Sequence, residues 1–293
     1  MNDEKINFRS AEELSELCLR YRLPISEIML RRECNLSEIS HKTALSRMNH
    51  AWEIMKEAAR SPINTPKKSM GGLIGGEAQL LFRHRMQGTS ACGDLMSRSI
   101  TYAMAVLEVN ASMGLIVAAP TAGSSGIVPG VLLSLQEEHD LTDDKMTLVL
   151  FNAGAIGYLA MRNATVAGAV GGCQAEAGVA AAMAASAAVE LMGGTPAQCL
   201  GAASTVLMNM LGLVCDPIGG LVEAPCQGRN AAGAANALVA VEMALSGVPQ
   251  LIPFDEMLDT MYAVGKRLPS ELRETARGGC AVTPTACSLC GGQ

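Results

Sequence analysis

Three cysteines stand where a thiolate could do chemistry: Cys173 in VGGCQAE, Cys215 in LVCDPIGG and Cys226 in EAPCQGR. Each adjoins a loop or a helix start, where backbone N–H groups and the helix dipole lower a thiol pKa and favour metal binding. Their wide spacing fits neither a zinc finger nor a ferredoxin run. Two readings stay open on spacing alone, a metal site or three buried structural thiols. Three thiolate ligands would leave one iron of a cubane cluster open, as Lewis-acid chemistry requires. Cys280, Cys287 and Cys290 fall in the tail CAVTPTACSLCGGQ. They could form a redox pair, a metal knuckle, a removable fourth ligand or an inert end. Cys18, Cys34, Cys92 and Cys199 lie in or beside apolar helical patterns and read as buried structural thiols.

Other polar groups could hold a small substrate. In APTAGSSG, Thr121, Ser124 and Ser125 can present hydroxyls and N–H groups to an anion, and the glycines of GGLIGG (71–76) could do likewise. The competing reading of both is a tight turn between packed helices. Asn152 and Asn163 are polar residues in apolar surroundings, fit for a site or for a buried hydrogen bond. The four histidines, His41, His50, His84 and His139, have no zinc spacing. His84, with an arginine on each side, is the best local candidate for a base. No GxGxxG after a strand, Walker sequence or GxSxG occurs. From residue 141 onward the only lysines are Lys145 and Lys266, which leaves little for a pyridoxal Schiff base.

These residues need a scaffold, and composition bounds it. The chain has 293 residues, 49 % hydrophobic and 17 % charged, with a net charge of −6. An acidic surface and 3 % aromatics argue against nucleic-acid binding, which needs basic charge and stacking platforms. The start, MNDEKINFRS, is not a secretory signal, so ten cysteines imply a reducing, cytoplasmic setting rather than a disulfide framework. Residues 191–215 carry no charge and are long enough to span a bilayer. They contain Gly193, Gly194, Pro196 and Asn209, however, and read better as a helix end, a turn and a new buried helix, so no membrane is expected.

The expected fold is mostly α, a compact helical domain with Gly-rich loops around an iron–sulfur site. Ser10 and Glu13 form a capping box, and Leu14, Leu17, Cys18 and Tyr21 share one helical face. With Ala44, Leu45, Met48, Trp52 and Met55 at similar spacing, residues 1–60 read as a helical leader that docks on something. Residues 61–277 would form the catalytic domain and 278–293 a cysteine-bearing tail. KMTLVLF (145–151) is the one tempting strand, but it has no partner in sight. Alanine, the best helix former, fills twelve of the forty residues 171–210.

Five segments carry a resemblance to a known family: GLIGGEAQ (72–79), SMGLIVAAPTAGSSGIVPG (112–130), GCQAEAGVAAAMAAS (172–186), VCDPIGGLVEAPCQGRNA (214–231) and ARGGCAVTPT (276–285). The chain resembles the alpha subunit of bacterial iron–sulfur-dependent L-serine dehydratase, an ammonia-lyase. The resemblance implies a [4Fe–4S] cluster on Cys173, Cys215 and Cys226, with Cys287 as a tail thiol that caps the open iron and Cys290 as its alternative. It implies deamination of L-serine to pyruvate and ammonia without pyridoxal phosphate. It also implies a beta subunit contributing histidines near the cluster, in a heterodimer or higher oligomer. Thr121, Ser124, Ser125 and Asn152 are then the expected substrate contacts. The cysteine set alone equally suits a cluster-dependent lyase acting on L-cysteine or another small hydroxy acid, or a redox iron–sulfur protein.

Overall fold

The computed structural model describes residues 6–290, the last by its backbone alone. Three N-terminal helices, α1 (Ala11–Tyr21), α2 (Ile25–Ser37) and α3 (His41–Asn64), lead into α4 (Glu77–Met86) and α5 (Gly93–Ala111). Then follow α6 (Ile127–Glu138), α7 (Asp143–Asn163), the one-turn α8 (Gly168–Gly171), α9 (Val179–Leu191) and α10 (Pro196–Asn209). The chain ends with α11 (Cys226–Leu245), α12 (Phe254–Arg267) and the short α13 (Pro284–Cys290). Among the described residues the only β contact is one isolated parallel bridge, Cys215 with Arg273.

The centre is α9. Every residue from Val179 to Val189 is buried, and a helix apolar on all sides can only be an interior one. Its alanines let α7, α10 and α11 pack closely around it. Close approach recurs between α5 and the start of α6, where a Cβ on Gly126 would lie 2.0 Å from the Ala103 carbonyl oxygen. The 145–151 run is helical, inside α7. Asp143 and Asp144 in its first turn suit the helix dipole, and Met146, Val149, Leu150 and Phe151 are buried. The uncharged run at 191–215 divides as its glycines and proline dictate. α9 ends, and α10 starts on a Thr195–Gln198 capping box with Pro196 at its first position. Among the described residues no helix is long and apolar enough to cross a membrane.

The leader helices dock on their own chain's body. Leu14, Ile25, Ile28, Trp52 and Met55 are buried in the common core. Two carboxylates of the body cap them. Asp255 accepts from the N–H groups of Ala11 and Glu12, and Glu190 accepts from the N–H of Ser26. Helix starts leave such donors unpaired, so each carboxylate both satisfies them and complements the dipole. Asp143 performs a related task from α7, accepting from Trp52 Nε1 at 2.9 Å and Lys56 Nζ at 2.8 Å on α3.

Candidate metal centre

Three irregular segments carry the three cysteines. Gly172, at φ +77°, turns the chain out of α8, and Cys173 opens a single π-helical turn, Gln174–Gly178. Such turns interrupt helices most often at functional sites. Cys215 lies on an extended stretch held by its own N–H to the Leu272 carbonyl and by Glu274 N–H to its carbonyl. Cys226 is the first residue of α11, at the dipole's positive end. The buried Gln174 fastens two of these segments, because its Oε1 accepts from Gly212 N–H and its Nε2 donates to the carbonyls of Gly171 and Met261.

Cys173 Sγ, Cys215 Sγ and a carboxylate oxygen of Glu176 all lie within 4.8 Å of one another. All three cysteines are buried. The Cys215 thiol hydrogen-bonds to Cys173 and holds it below the usual thiol range; burial opposes this, and the nearby Arg229 guanidinium assists. The same hydrogen bond, with burial, pushes Cys215 up. Burial first, then the charges of Cys173 and Glu176, push Cys226 up to about 12. Glu176 is raised by burial; the Thr121 hydroxyl opposes this and Glu274 adds to it.

Of the expected substrate contacts, the structure brings Thr121 and Ser124 to this centre. Thr121 Oγ1 donates to Glu176 Oε1, and Ser124 Oγ lies 3.0 Å from Thr121 Oγ1. Ser125, next along, is fully buried with no hydrogen-bond partner at its Oγ. Asn230 on α11 joins this loop to Cys226, accepting from Gly126 N–H and donating to the carbonyls of Gly123 and Cys226. Asn152 belongs to a different network, between Glu190 and Ser186 beneath the N-terminus of α2. His84 is exposed at the end of α4, with Thr89 as its partner. Cys287 is exposed on α13, and Cys290 has its side chain outside the described residues. The tail residue that borders the centre is Cys280, whose N–H donates to Asp216 Oδ2 at 2.6 Å. Cys92 is exposed, ahead of α5, rather than buried with the other core thiols; its place in a turn explains why an apolar pattern misled.

The loop that contains GGLIGG does hold a carboxyl group, and it is the chain's own. Ser69 hydroxyl and Leu73 N–H donate to Glu223 Oε2, and Gly71 N–H donates to Oε1. Glu223 thereby anchors the segment that delivers Cys226. Sequence reading missed Glu176, Asp216, Glu223, Arg229 and Asn230. The one available signal was their placement within three or four residues of Cys173, Cys215 or Cys226, in stretches otherwise poor in charge.

The donor set suits an iron–sulfur group. Soft thiolates select iron–sulfur clusters or zinc, and Gly168 supplies no side chain where a Cβ would lie 3.0 Å from Cys215 Sγ and 3.1 Å from Glu176 Oε2. Helices throughout, with two cysteines and a carboxylate gathered at their loop ends, define a helical protein with a candidate metal site. The family model "Serine dehydratase alpha chain" matches residues 20–281. The chain is 45 % identical over 282 residues to the probable L-serine dehydratase alpha chain of Bacillus subtilis, covering 96 % of this chain and 94 % of that one. It is 40 % identical over 276 residues to the L-serine dehydratase alpha chain of Peptoniphilus asaccharolyticus, covering 94 % of each. With L-serine dehydratase TdcG of Escherichia coli it shares 37 % identity over 284 residues, 94 % of this chain and 62 % of that longer protein. The chain belongs to the serine dehydratase alpha chain family.

Proposed function

We propose that this chain is the alpha subunit of an L-serine ammonia-lyase, forming pyruvate and ammonia without pyridoxal phosphate. The observation that carries the reading is the convergence of Cys173, Cys215 and Glu176 on one buried point, with Cys226 beside them, in a chain of this family. Cys173, Cys215 and Cys226 would hold a [4Fe–4S] cluster, whose open iron supplies the Lewis acidity that activates a β-hydroxyl for departure. Around it, Thr121, Ser124 and Ser125 offer hydroxyls to the carboxylate and amine of L-serine. Glu176, held by Thr121, keeps a carboxyl group on the reacting side of the centre. Burial of all three cysteines excludes water from the thiolates. Cys287, exposed on a seven-residue helix, is our candidate for a removable fourth ligand, with Cys290 as its alternative. No histidine lies among the residues around the centre, and His84 is remote in its contacts, so we assign the base to a beta subunit. Among the described residues nine cysteines stand as free thiols, which suits a cytoplasmic enzyme.

The test is anaerobic reconstitution with iron and sulfide, then pyruvate and ammonia assays with and without the beta partner, using L-serine, L-threonine and L-cysteine. Cys173→Ser, Cys215→Ser and Cys226→Ser should each lose iron and activity together, while Cys18→Ser and Cys34→Ser keep both. Serine turnover that survives complete iron removal would sink the proposal.

A further inference from the structure

The largely buried guanidinium of Arg229, 15 % exposed, stands between the cysteine-bearing segments. It lies on α11 three residues after Cys226, so the two share a helix face. Its Nη1 donates to the carbonyl of Val214 at 2.8 Å and reaches Cys173 Sγ at 3.6 Å. Its Nη2 pairs with Asp216 Oδ1 at 2.6 Å, a contact of charges rather than a well-aligned hydrogen bond. Val214 and Asp216 are the two neighbours of Cys215. A single side chain rooted on the Cys226 helix therefore touches both of the other segments that carry a ligand.

We propose that Arg229 is the positioning residue of the metal centre, holding the Cys173, Cys215 and Cys226 segments in the register that a cluster needs. The proposal rests on the reading of those cysteines as cluster ligands. The chemistry of the side chain is what the task demands. A guanidinium presents five donors in a rigid planar fork and can bind separate acceptors at fixed angles, whereas a lysine ammonium is a point charge on a flexible stem. A fixed positive charge 3.6 Å from Cys173 Sγ also complements the negative charge that a thiolate ligand carries when a metal group is bound. Asp216 extends the arrangement outward, since its other oxygen accepts from Cys280 N–H and so ties the tail to the same clamp.

Two variants separate positioning from a plain buried ion pair. Arg229→Lys keeps the charge and loses the fork; Asp216→Asn keeps the fork's contacts with Val214 and Cys173 and loses the ion pair. Each is measured three ways: thermal unfolding of the apo chain, cobalt(II) titration of the apo chain followed by thiolate-to-cobalt absorbance, and the rate of iron loss to a chelator after anaerobic reconstitution. The expected result is an Arg229→Lys chain that folds, binds cobalt(II) at least about tenfold more weakly and sheds iron at least about tenfold faster, with Asp216→Asn close to wild type in both. Equal losses in the two variants, wild-type values in Arg229→Lys, or an Arg229→Lys chain that does not fold would each overturn the proposal. A wild-type chain that takes up neither cobalt nor iron would instead refute the cluster reading itself.

Discussion

Gly168→Ala should separate folding from metal loading. Gly168 opens α8 with an ordinary backbone conformation, so alanine is sterically allowed along the chain and gains part of the about 1 kcal/mol that separates the two residues in a helix interior. The added methyl, however, would lie 3.0 Å from Cys215 Sγ, 3.1 Å from Glu176 Oε2 and 3.3 Å from Glu274 Oε2. Ordinary contact begins at 3.4 Å, so the sulfur must retreat by several tenths of an ångström. Overpacking of this kind costs about 1–3 kcal/mol. In the apo chain the propensity gain offsets part of it, and the melting temperature should fall by only a few degrees. Cluster binding has no such offset, because ligands displaced by about 0.5 Å already lie outside productive geometry. Iron and sulfide per chain after anaerobic reconstitution should therefore fall steeply, with cluster affinity down by roughly tenfold or more. The measurements are iron and sulfide analysis, visible absorbance and circular-dichroism melting on the same samples. A Gly168→Ala chain that loads as fully and holds iron as long as wild type would show that the metal centre is not where Cys215 and Glu176 converge.

Two further outcomes follow from the scaffold. Hydrogen bonds from Lys56, Gln136 and Trp52 and the Lys56 charge, with burial opposing, hold Asp143 at about 2, below its ordinary 3.8. A depressed carboxylate stabilises the fold fully above the unfolded value and loses that contribution as pH falls through the folded one. With 44 % of the side chain exposed the contribution is about 1 kcal/mol or less. The urea-unfolding difference between wild type and Asp143→Asn should thus shrink between pH 4 and 2; a constant difference would falsify the linkage. Glu223→Ala strips the acceptor from Gly71 N–H, Leu73 N–H and the Ser69 hydroxyl and should cost about 2–4 kcal/mol. Amide exchange over 69–76 should speed up selectively, and unchanged exchange there would remove Glu223 from its role as anchor.

Much of the scaffold is local and was therefore legible. Ser10 caps α1 as its spacing requires, its hydroxyl accepting from Glu13 N–H, although the Glu13 carboxylate takes the N–H of Arg9 instead of closing the capping box on Ser10. Glu77–Met86 is the helix that its sequence suggests. Run 145–151 is strand-like in composition because Thr, Val and Phe are β-formers, yet the helical propensity of its flanks and burial on the α7 face decide the outcome. Cys173, Cys215 and Cys226 could be singled out by their loop contexts, since each context is encoded within a few residues. Glu176 could not, because its place depends on a π turn that no periodicity announces and on Thr121, 55 residues away. Asn152 has the same polar-in-apolar signature as a site residue, and only the position of Glu190 reveals that its bonds are spent on packing. Arg229 reads as an ordinary helix residue until Val214 and Asp216 are brought alongside it.

The carboxylate of Asp255 that closes the first turn of α1 belongs to a residue 244 positions downstream. On the ribosome that partner is made long after the helix it caps. The N–H groups of Ala11 and Glu12 therefore stay without that carboxylate until α12 has left the exit tunnel. Because synthesis runs at about 5–20 residues per second, that interval lasts on the order of ten seconds or more. A chain truncated before α12 would leave its first helix with the Ser10 cap but without the Asp255 carboxylate, which makes the far end of the molecule a checkpoint for the completion of the near one.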